Sequence, residues 1–578
     1  MRLPLLANTQ HRIGLIAGFF FLSVATVISV RAISPVLLGY DTCALVESAV
    51  RYSKTGVASS ALFPGFTEVI TDPHPYPELR WWATGAPKLM GTLIKWGLGP
   101  EAAYRVVHYA AITLMWIGWF CIVRESGKLH LLSQQPLIAT GFCLSPLFLT
   151  PCIDIDEMLF AAFVPWVIFL TLKTCFSRRW WLYLGLLVMV FLASYQCRHV
   201  SIMFPVFSIC AFALFLFRKN ETTPRKRKAL LSLVCSLGAL LLLLYYNSSS
   251  PPDYFSRTKE TNPDVVGSFL QAVKYAGYSS LFWMVNWFMP GRIVGFYEEK
   301  LRAMQPLGFA TLLVCVLIGI IVTCYTVRVL KLHKLQLLLF SIVFVVLLNY
   351  FVLIYVSIKT QSALTATIFI NYWYPFLPFL GLIAFFIYDN TDLFRRNLVY
   401  SICLIPIFLL LTMLLGVNKK AFSQIRGYYF EGDSILKERD SFVQFMPHDF
   451  VLSEEILQNP NAIYYTQVPH YYCLKYPNSK IVFRPPPART QLTKYKTIRP
   501  TQLYFSLTRG DNYTTSFAHV DSIHDKSEVL ELQKLFPEQV TSQTQKIKVF
   551  EFLVTVSCEM QLIKIELPAD WRGKHAVD

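Results

Sequence analysis

Runs of about 20 consecutive apolar residues recur along this chain, and they leave few folds open to it. A run of that length crosses a hydrocarbon core of about 30 Å as a helix, the one unpaired segment that satisfies all its own backbone polar groups. The runs fall at about 13–34, 103–123, 133–150, 157–173, 181–197, 201–217, 229–246, 307–326, 335–357, 374–388 and 398–416. Composition agrees, with 54% of residues hydrophobic and 15% charged, far from the usage of soluble domains. The expected fold class is mainly α: a polytopic membrane helix bundle of about 11 spans over 1–416, then a C-terminal extracytoplasmic α/β domain over 417–578.

A net charge of +17 would suit a nucleic-acid binder if it were gathered on a soluble domain. Here it is spread over short loops between spans. With the N-terminus cytoplasmic, the inner loops carry Arg178 and Arg179; Arg218, Lys219, Arg225, Lys226, Arg227 and Lys228; Arg328, Lys331 and Lys334; and Arg395 and Arg396. That is the positive-inside pattern, and it gives a topology rather than a nucleic-acid partner. The segments 35–102 and 247–306 and everything after about 417 then lie outside, the C-terminus included.

The first apolar run is long and has no small-residue cleavage site before Tyr40, so it reads as an uncleaved anchor. Of the 13 cysteines most, such as Cys121, Cys210, Cys235, Cys315 and Cys403, fall within spans and serve as small hydrophobes. Cys473 and Cys558 share the terminal segment, either as a disulfide or as two unrelated thiols. Asn247-Ser-Ser and Asn512-Tyr-Thr are glycosylation-type triplets. There is no internal repeat and no strong nucleotide-binding motif, which disfavours a sugar-nucleotide donor.

Segment 35–102 is too polar to span and too aromatic to be a solvated linker. Its spacing predicts two interfacial helices, about 42–53 and 85–97, on either side of the Pro-rich turn DPHPYPELR. Asp41 then stands at the start of the first helix, where it reads either as an N-cap or as a general base at the mouth of the membrane. The aromatic stretch YSSLFWMVNWFMPGR in 247–306 reads as interfacial anchors or as one wall of a groove above the bundle. After 417 the runs AIYYTQV, KIVFRP, TQLYFSL, KVFEFLV and EMQLIKIEL predict strands, and KSEVLELQKLF predicts a helix.

Several short patterns combine with this topology. Asp41 after the first span is followed by Tyr52 and Gly56, and then by Asp72-Pro73-His74-Pro75 before the second interfacial helix. GLGPEAAYRVVHYA leads into the second span with Arg105. IDIDEMLF supplies Asp154, Asp156 and Glu157 at the head of the fourth, YQCRHV places Arg198 and His199 after the fifth, and NYWYPFLP contains Tyr372. In this combination the chain resembles the membrane-embedded C-type glycosyltransferases, in particular the branch of the protein O-mannosyltransferases and lipid A aminoarabinose transferases. The resemblance covers about 13–416 in topology and 36–200 in local pattern. Thr42 stands where many relatives carry a second acid, and Asn371 where Arg is common.

What the resemblance implies is transfer of a sugar from a polyprenyl-phosphate-linked donor to a lipid, glycan or protein acceptor on the extracytoplasmic face. The implied setting is a bacterial inner membrane. Asp41, Asp156 and Glu157 are the implied catalytic acids. Arg105, Arg198, His199, Arg80, Lys88 and Arg292 are the donor-phosphate candidates, and Asp154, His74, Tyr52 and Tyr372 line the acceptor or donor groove. One carboxylate acting as base inverts the anomeric centre. Arg80, Lys88 and Arg292 read equally as residues that snorkel to lipid head groups. One member of the acidic trio caps its helix, and a divalent metal beside the others stays open. A flippase for lipid-linked sugar and a glycan ligase or polymerase are the rival readings.

Overall fold

The computed structural model describes residues 23–27, 40–59, 83–126, 155–217, 221–248, 429–430, 459, 462–466, 480–483, 502–509, 540–551 and 554–566. The expected spans at 133–150, 307–326, 335–357, 374–388 and 398–416 lie outside these residues, as do all of 13–34 except 23–27, which are helical. Loop 249–306, the helix expected at KSEVLELQKLF and the boundary at 416/417 also lie outside them. The chain divides into two units, one of 1–32, 80–86 and 105–415 and the other of 33–79, 87–104 and 416–578.

Seven α-helices are described: α1 (Tyr40–Thr55), α2 (Gly85–Lys95), α3 (Pro100–Ser126), α4 (Ile155–Phe176), α5 (Trp180–Cys197), α6 (Met203–Leu216) and α7 (Thr223–Ser248). A 3-10 turn, His199–Ile202, joins α5 to α6. Four stretches are long and apolar enough to cross a bilayer: Pro100–Ile122, Met158–Phe176, Trp180–Cys197 and Thr223–Tyr246. The chain is thus a membrane protein with a mostly helical described region. At 14 residues, or about 21 Å, α6 falls short of the hydrocarbon thickness by itself.

Contacts within the larger helical unit fix the directions of its helices. Trp166 Nε1 donates to the Leu114 carbonyl at 3.0 Å, and further along both helices Lys173 pairs with Glu125 at 2.5 Å, so α3 and α4 run parallel. They come close because Gly118 faces Pro165, where a Cβ would fall 2.7 Å from the proline Cγ. Along α4 and α6, Phe160 stacks on Phe204 at 4.9 Å, the Thr171 and Ser208 hydroxyls share a 2.8 Å hydrogen bond, and Phe176 meets Phe215 edge-on at 5.3 Å. These two helices are parallel as well. Phe169 meets Tyr183 at 6.5 Å across the short link into α5, which therefore runs antiparallel to α4. Tyr195 near the end of α5 touches Tyr246 near the end of α7 at 6.3 Å, so α5 and α7 run parallel.

The core of this unit follows from residue size. Phe160, Phe191, Phe204, Phe207, Phe212 and Phe215 are fully buried large side chains. On α7 the buried positions are Ala229, Ser232, Ser236, Ala239 and Leu243, a seam of mostly small residues at alternating spacings of three and four, which lets neighbouring backbones approach. Leu230, Leu231, Val234, Leu237, Leu241 and Leu242 are exposed beside it, as lipid-facing positions are in a membrane helix.

In the other unit, α1 and α2 match the two helices expected in segment 35–102. Each is followed by a glycine in the left-handed region, Gly56 at φ 77° and Gly97 at φ 100°, whose N–H groups donate to the Tyr52 and Ile94 carbonyls. A Cβ on Gly91 would fall 2.6 Å from the Ala49 carbonyl oxygen, so α2 lies directly against α1 there. Six strands follow: β1 (Tyr429–Phe430), β2 (Ala462–Thr466), β3 (Lys480–Phe483), β4 (Gln502–Arg509), β5 (Val540–Glu551) and β6 (Val554–Glu566). They form one mixed sheet in the order β1-β5-β6-β4-β2-β3, with β2 parallel to both β3 and β4 and the remaining pairs antiparallel. The run KVFEFLV, expected as a single strand, instead spans the end of β5 and the start of β6, because Glu551 pairs with Val554 across two intervening residues.

Candidate functional site at one end of the helical unit

The helix directions sort charge to opposite ends of the larger helical unit. One end collects Arg124, Lys173, Arg178, Arg179, Arg225, Lys226, Arg227 and Lys228, with Glu125 and Glu221 among them. The other collects the start of α4, the break between α5 and α6 and the end of α7. Asp156 and Glu157 lie in the first turn of α4, one turn before Phe160. Phe160 stacks on Phe204, the second residue after the 3-10 turn His199–Ile202, so the acids and the break stand at about one level.

Arg105 belongs to the same end. It precedes Leu114 by as many residues as Glu157 precedes Trp166, and Leu114 and Trp166 are hydrogen-bonded across parallel helices. Its Nη1 donates to the Tyr109 hydroxyl at 3.1 Å, which holds the guanidinium along its own helix. His108, one turn on, is buried at 2% exposure and lies 6.0 Å from the Tyr109 ring.

At the break itself, Arg198 leaves helical geometry for an extended conformation, φ −159° and ψ 123°, while its N–H still donates to the Ser194 carbonyl. That carbonyl also accepts from the Ser201 hydroxyl at 3.0 Å, so Ser194 O ties the end of α5 to the turn that follows. Arg198 and His199 are both half-buried. The imidazole of His199 stacks on the buried Tyr195 ring at 4.9 Å with an interplanar angle of 26°. A Cβ on Gly85 would fall 2.6 Å from the Gln196 carbonyl, so only glycine lets that backbone reach the end of α5.

The remaining expected site residues are distributed as follows. Asp41 is the second residue of α1, inside the first turn rather than at the expected N-cap, where a carboxylate favours the helix dipole; its side chain, like those of Asp156 and Glu157, lies outside the described residues. Tyr52 packs against Gly91 between α1 and α2, and Lys88 is half-buried on α2. Arg80, Arg292, Asp154, His74 and Tyr372 lie outside the described residues. Among the described residues no three His, Cys, Asp or Glu side chains gather to hold a metal ion.

Sequence reasoning missed three members of this environment. Tyr195 and Tyr246 were legible only as boundary aromatics, although Tyr195 is buried beneath His199. His108 was signalled by its i+3 spacing from Arg105 and by the cost of an ionisable group inside a membrane helix. In the other unit, buried Glu47 accepts from Arg51 Nε one turn along α1, a pair that the four-residue spacing announces. No protein-family model, curated protein or solved structure matches the chain.

Proposed function

We propose that this membrane protein is a glycosyltransferase that takes a sugar from a polyprenyl-phosphate-linked donor at the end of the helical unit remote from its basic loops. One observation carries the reading: Arg105, the first turn of α4 with Asp156 and Glu157, and the Arg198–His199 break all stand at one level of the bundle. Ionisable groups at the mouth of a membrane bundle are costly and are kept for paired or functional roles. The positive-inside rule assigns the opposite end to the cytoplasm and this end to the extracytoplasmic face.

In this reading the acceptor oxygen or nitrogen attacks the anomeric carbon as the bond to the lipid phosphate breaks. A carboxylate takes the acceptor's proton, the role that the resemblance implies for Asp41, and the departing phosphate gathers negative charge. Arg198 and Arg105 meet that charge with the planar fork that suits phosphate oxygens, and His199, steadied by Tyr195, adds a third donor. Asp156 or Glu157 orients one of the guanidinium groups. Attack from the face opposite the leaving phosphate inverts the anomeric configuration.

The test is an assay of purified protein with a panel of polyprenyl-phosphate sugars, comparing wild type with Asp41→Asn and Arg198→Ala. A new glycosidic product from the wild type and its loss in both folded variants support the reading. Full turnover by folded Asp41→Asn removes the proposed base. Translocation of labelled lipid with no glycosidic product assigns the chain to lipid-linked-sugar transport instead.

A further inference from the structure

The basic end of the helical unit has a geometry that topology alone does not require. Helices α5 and α7 run parallel and pack against each other, in register at Tyr195 and Tyr246. Followed back residue for residue from that contact, Arg178 and Arg179 come level with Ala229 and Leu230, about one turn beyond Lys226 and Arg227. Two basic pairs, far apart in sequence, thus lie about one turn apart in level at the starts of neighbouring helices, Arg178 and Arg179 just before α5 and Lys226 and Arg227 in the first turns of α7. Arg178, Arg179 and Arg227 are exposed and Lys226 is half-exposed. Of the cations in 225–228, Arg225 is the one paired with a carboxylate, Glu221, among the described residues.

Immediately inside these cations both helices turn apolar flanks outward. Trp181 is 62% exposed and Leu182 42% on α5, and Leu230 is 51% and Leu231 53% on α7. An anchored phosphate above and hydrocarbon below is the chemistry of an anionic phospholipid, and basic clusters between spans on the cytoplasmic side recognise such head groups. Long cationic side chains on a helix start lean back towards its N-terminus, which keeps the charges at head-group level while the leucines meet acyl chains. We propose that the paired starts of α5 and α7 form a binding site for an anionic phospholipid, its phosphate held among Arg178, Arg179, Lys226 and Arg227 and its chains along the shared apolar flank.

The site is independent of the chemistry proposed for the opposite end and is tested without it. Purified full-length protein, stripped of endogenous lipid, is incubated with phosphatidylglycerol or phosphatidylcholine of matched chains, and retained lipid is counted by native mass spectrometry. The wild type should retain the anionic lipid several-fold better. Arg178→Gln/Arg179→Gln and Lys226→Gln/Arg227→Gln should each lose most of that several-fold preference and approach equal retention of the two lipids. If one double variant does not fold, as judged by helical circular dichroism, Arg178→Gln or Arg227→Gln carries the comparison. Equal retention of both lipids, undiminished preference in the folded variants, or displacement of the lipid by millimolar inorganic phosphate would each overturn the proposal.

Discussion

Arg198 concentrates the argument at the scale of single residues. It sits where two apolar helices meet with almost no loop, so its charge is confined near the end of the bundle rather than free to reach far into solvent. Its candidacy was legible because YQCRHV interrupts two apolar runs; the buried ring beneath His199 was not, since a tyrosine near a helix end reads as an anchor. Under the proposed chemistry, Arg198→Ala lowers kcat by about 100-fold or more while Arg198→Lys, which keeps the charge and loses the fork, recovers part of it; steady-state product formation by folded variants measures both. A second expectation concerns the sheet, where Tyr504 registers with Lys564 and Gln502 with Glu566. Burial pushes the Tyr504 phenol up, and the hydrogen bond from Lys564 Nζ to Glu566 at 2.6 Å pushes the ammonium up. Both groups hold their protons more tightly when folded, so their stabilising contribution is complete below the unfolded values, near 10 for Tyr and about 10.4 for Lys. It is lost as pH rises through the folded ones. Melting of the β-sheet infrared band should shift to lower temperature from pH 9 to about 11, and Tyr504→Phe should flatten that slope.

Among the elements, the contact of α3 with α4 turns on one glycine and one proline. Pro165 in mid-helix has no N–H to give the carbonyl one turn back, and Gly118 leaves room for its ring. Gly118→Ala puts a methyl group against that ring and should destabilise the helical unit by about 1–3 kcal/mol, read as a fall in Tm of the detergent-solubilised protein. Ser208→Ala removes only the hydroxyl contact with Thr171, and a cost of about 0.6 kcal/mol is expected from interhelical hydrogen bonds of this kind. Elements with strong local signals were legible. Helices α1 and α2 end where Gly56 and Gly97 permit left-handed turns, and the described spans follow their apolar runs. The β5–β6 hairpin was not legible: Phe552 and Leu553 stand between its strands, where a Gly or Asn would have marked a turn. The first two thirds of β5, VTSQTQKI, also escaped notice because its polar residues give little apolar alternation.

At the largest scale, the decisive property of the helical unit is the separation of a densely basic end from an end with mixed acids, arginines and histidines. Positive loops could be counted from the sequence, but which spans are neighbours could not, because that depends on contacts such as Phe160–Phe204 and Tyr195–Tyr246 between segments far apart in the chain. Sidedness is testable directly. In sealed vesicles of known orientation, a membrane-impermeant thiol reagent should label Arg178→Cys only from the cytoplasmic side and Tyr246→Cys only from the opposite side, above the background of the parent chain; labelling of both from one side contradicts the topology. The shortness of α6 has a consequence for the membrane itself. A 14-residue helix reaches about 21 Å into a core of about 30 Å, and the 3-10 turn carrying His199 makes up the remaining depth. Turn and helix together just match the core, so the imidazole surfaces at the level of the glycerol backbones, and only a thicker bilayer would have to thin around it.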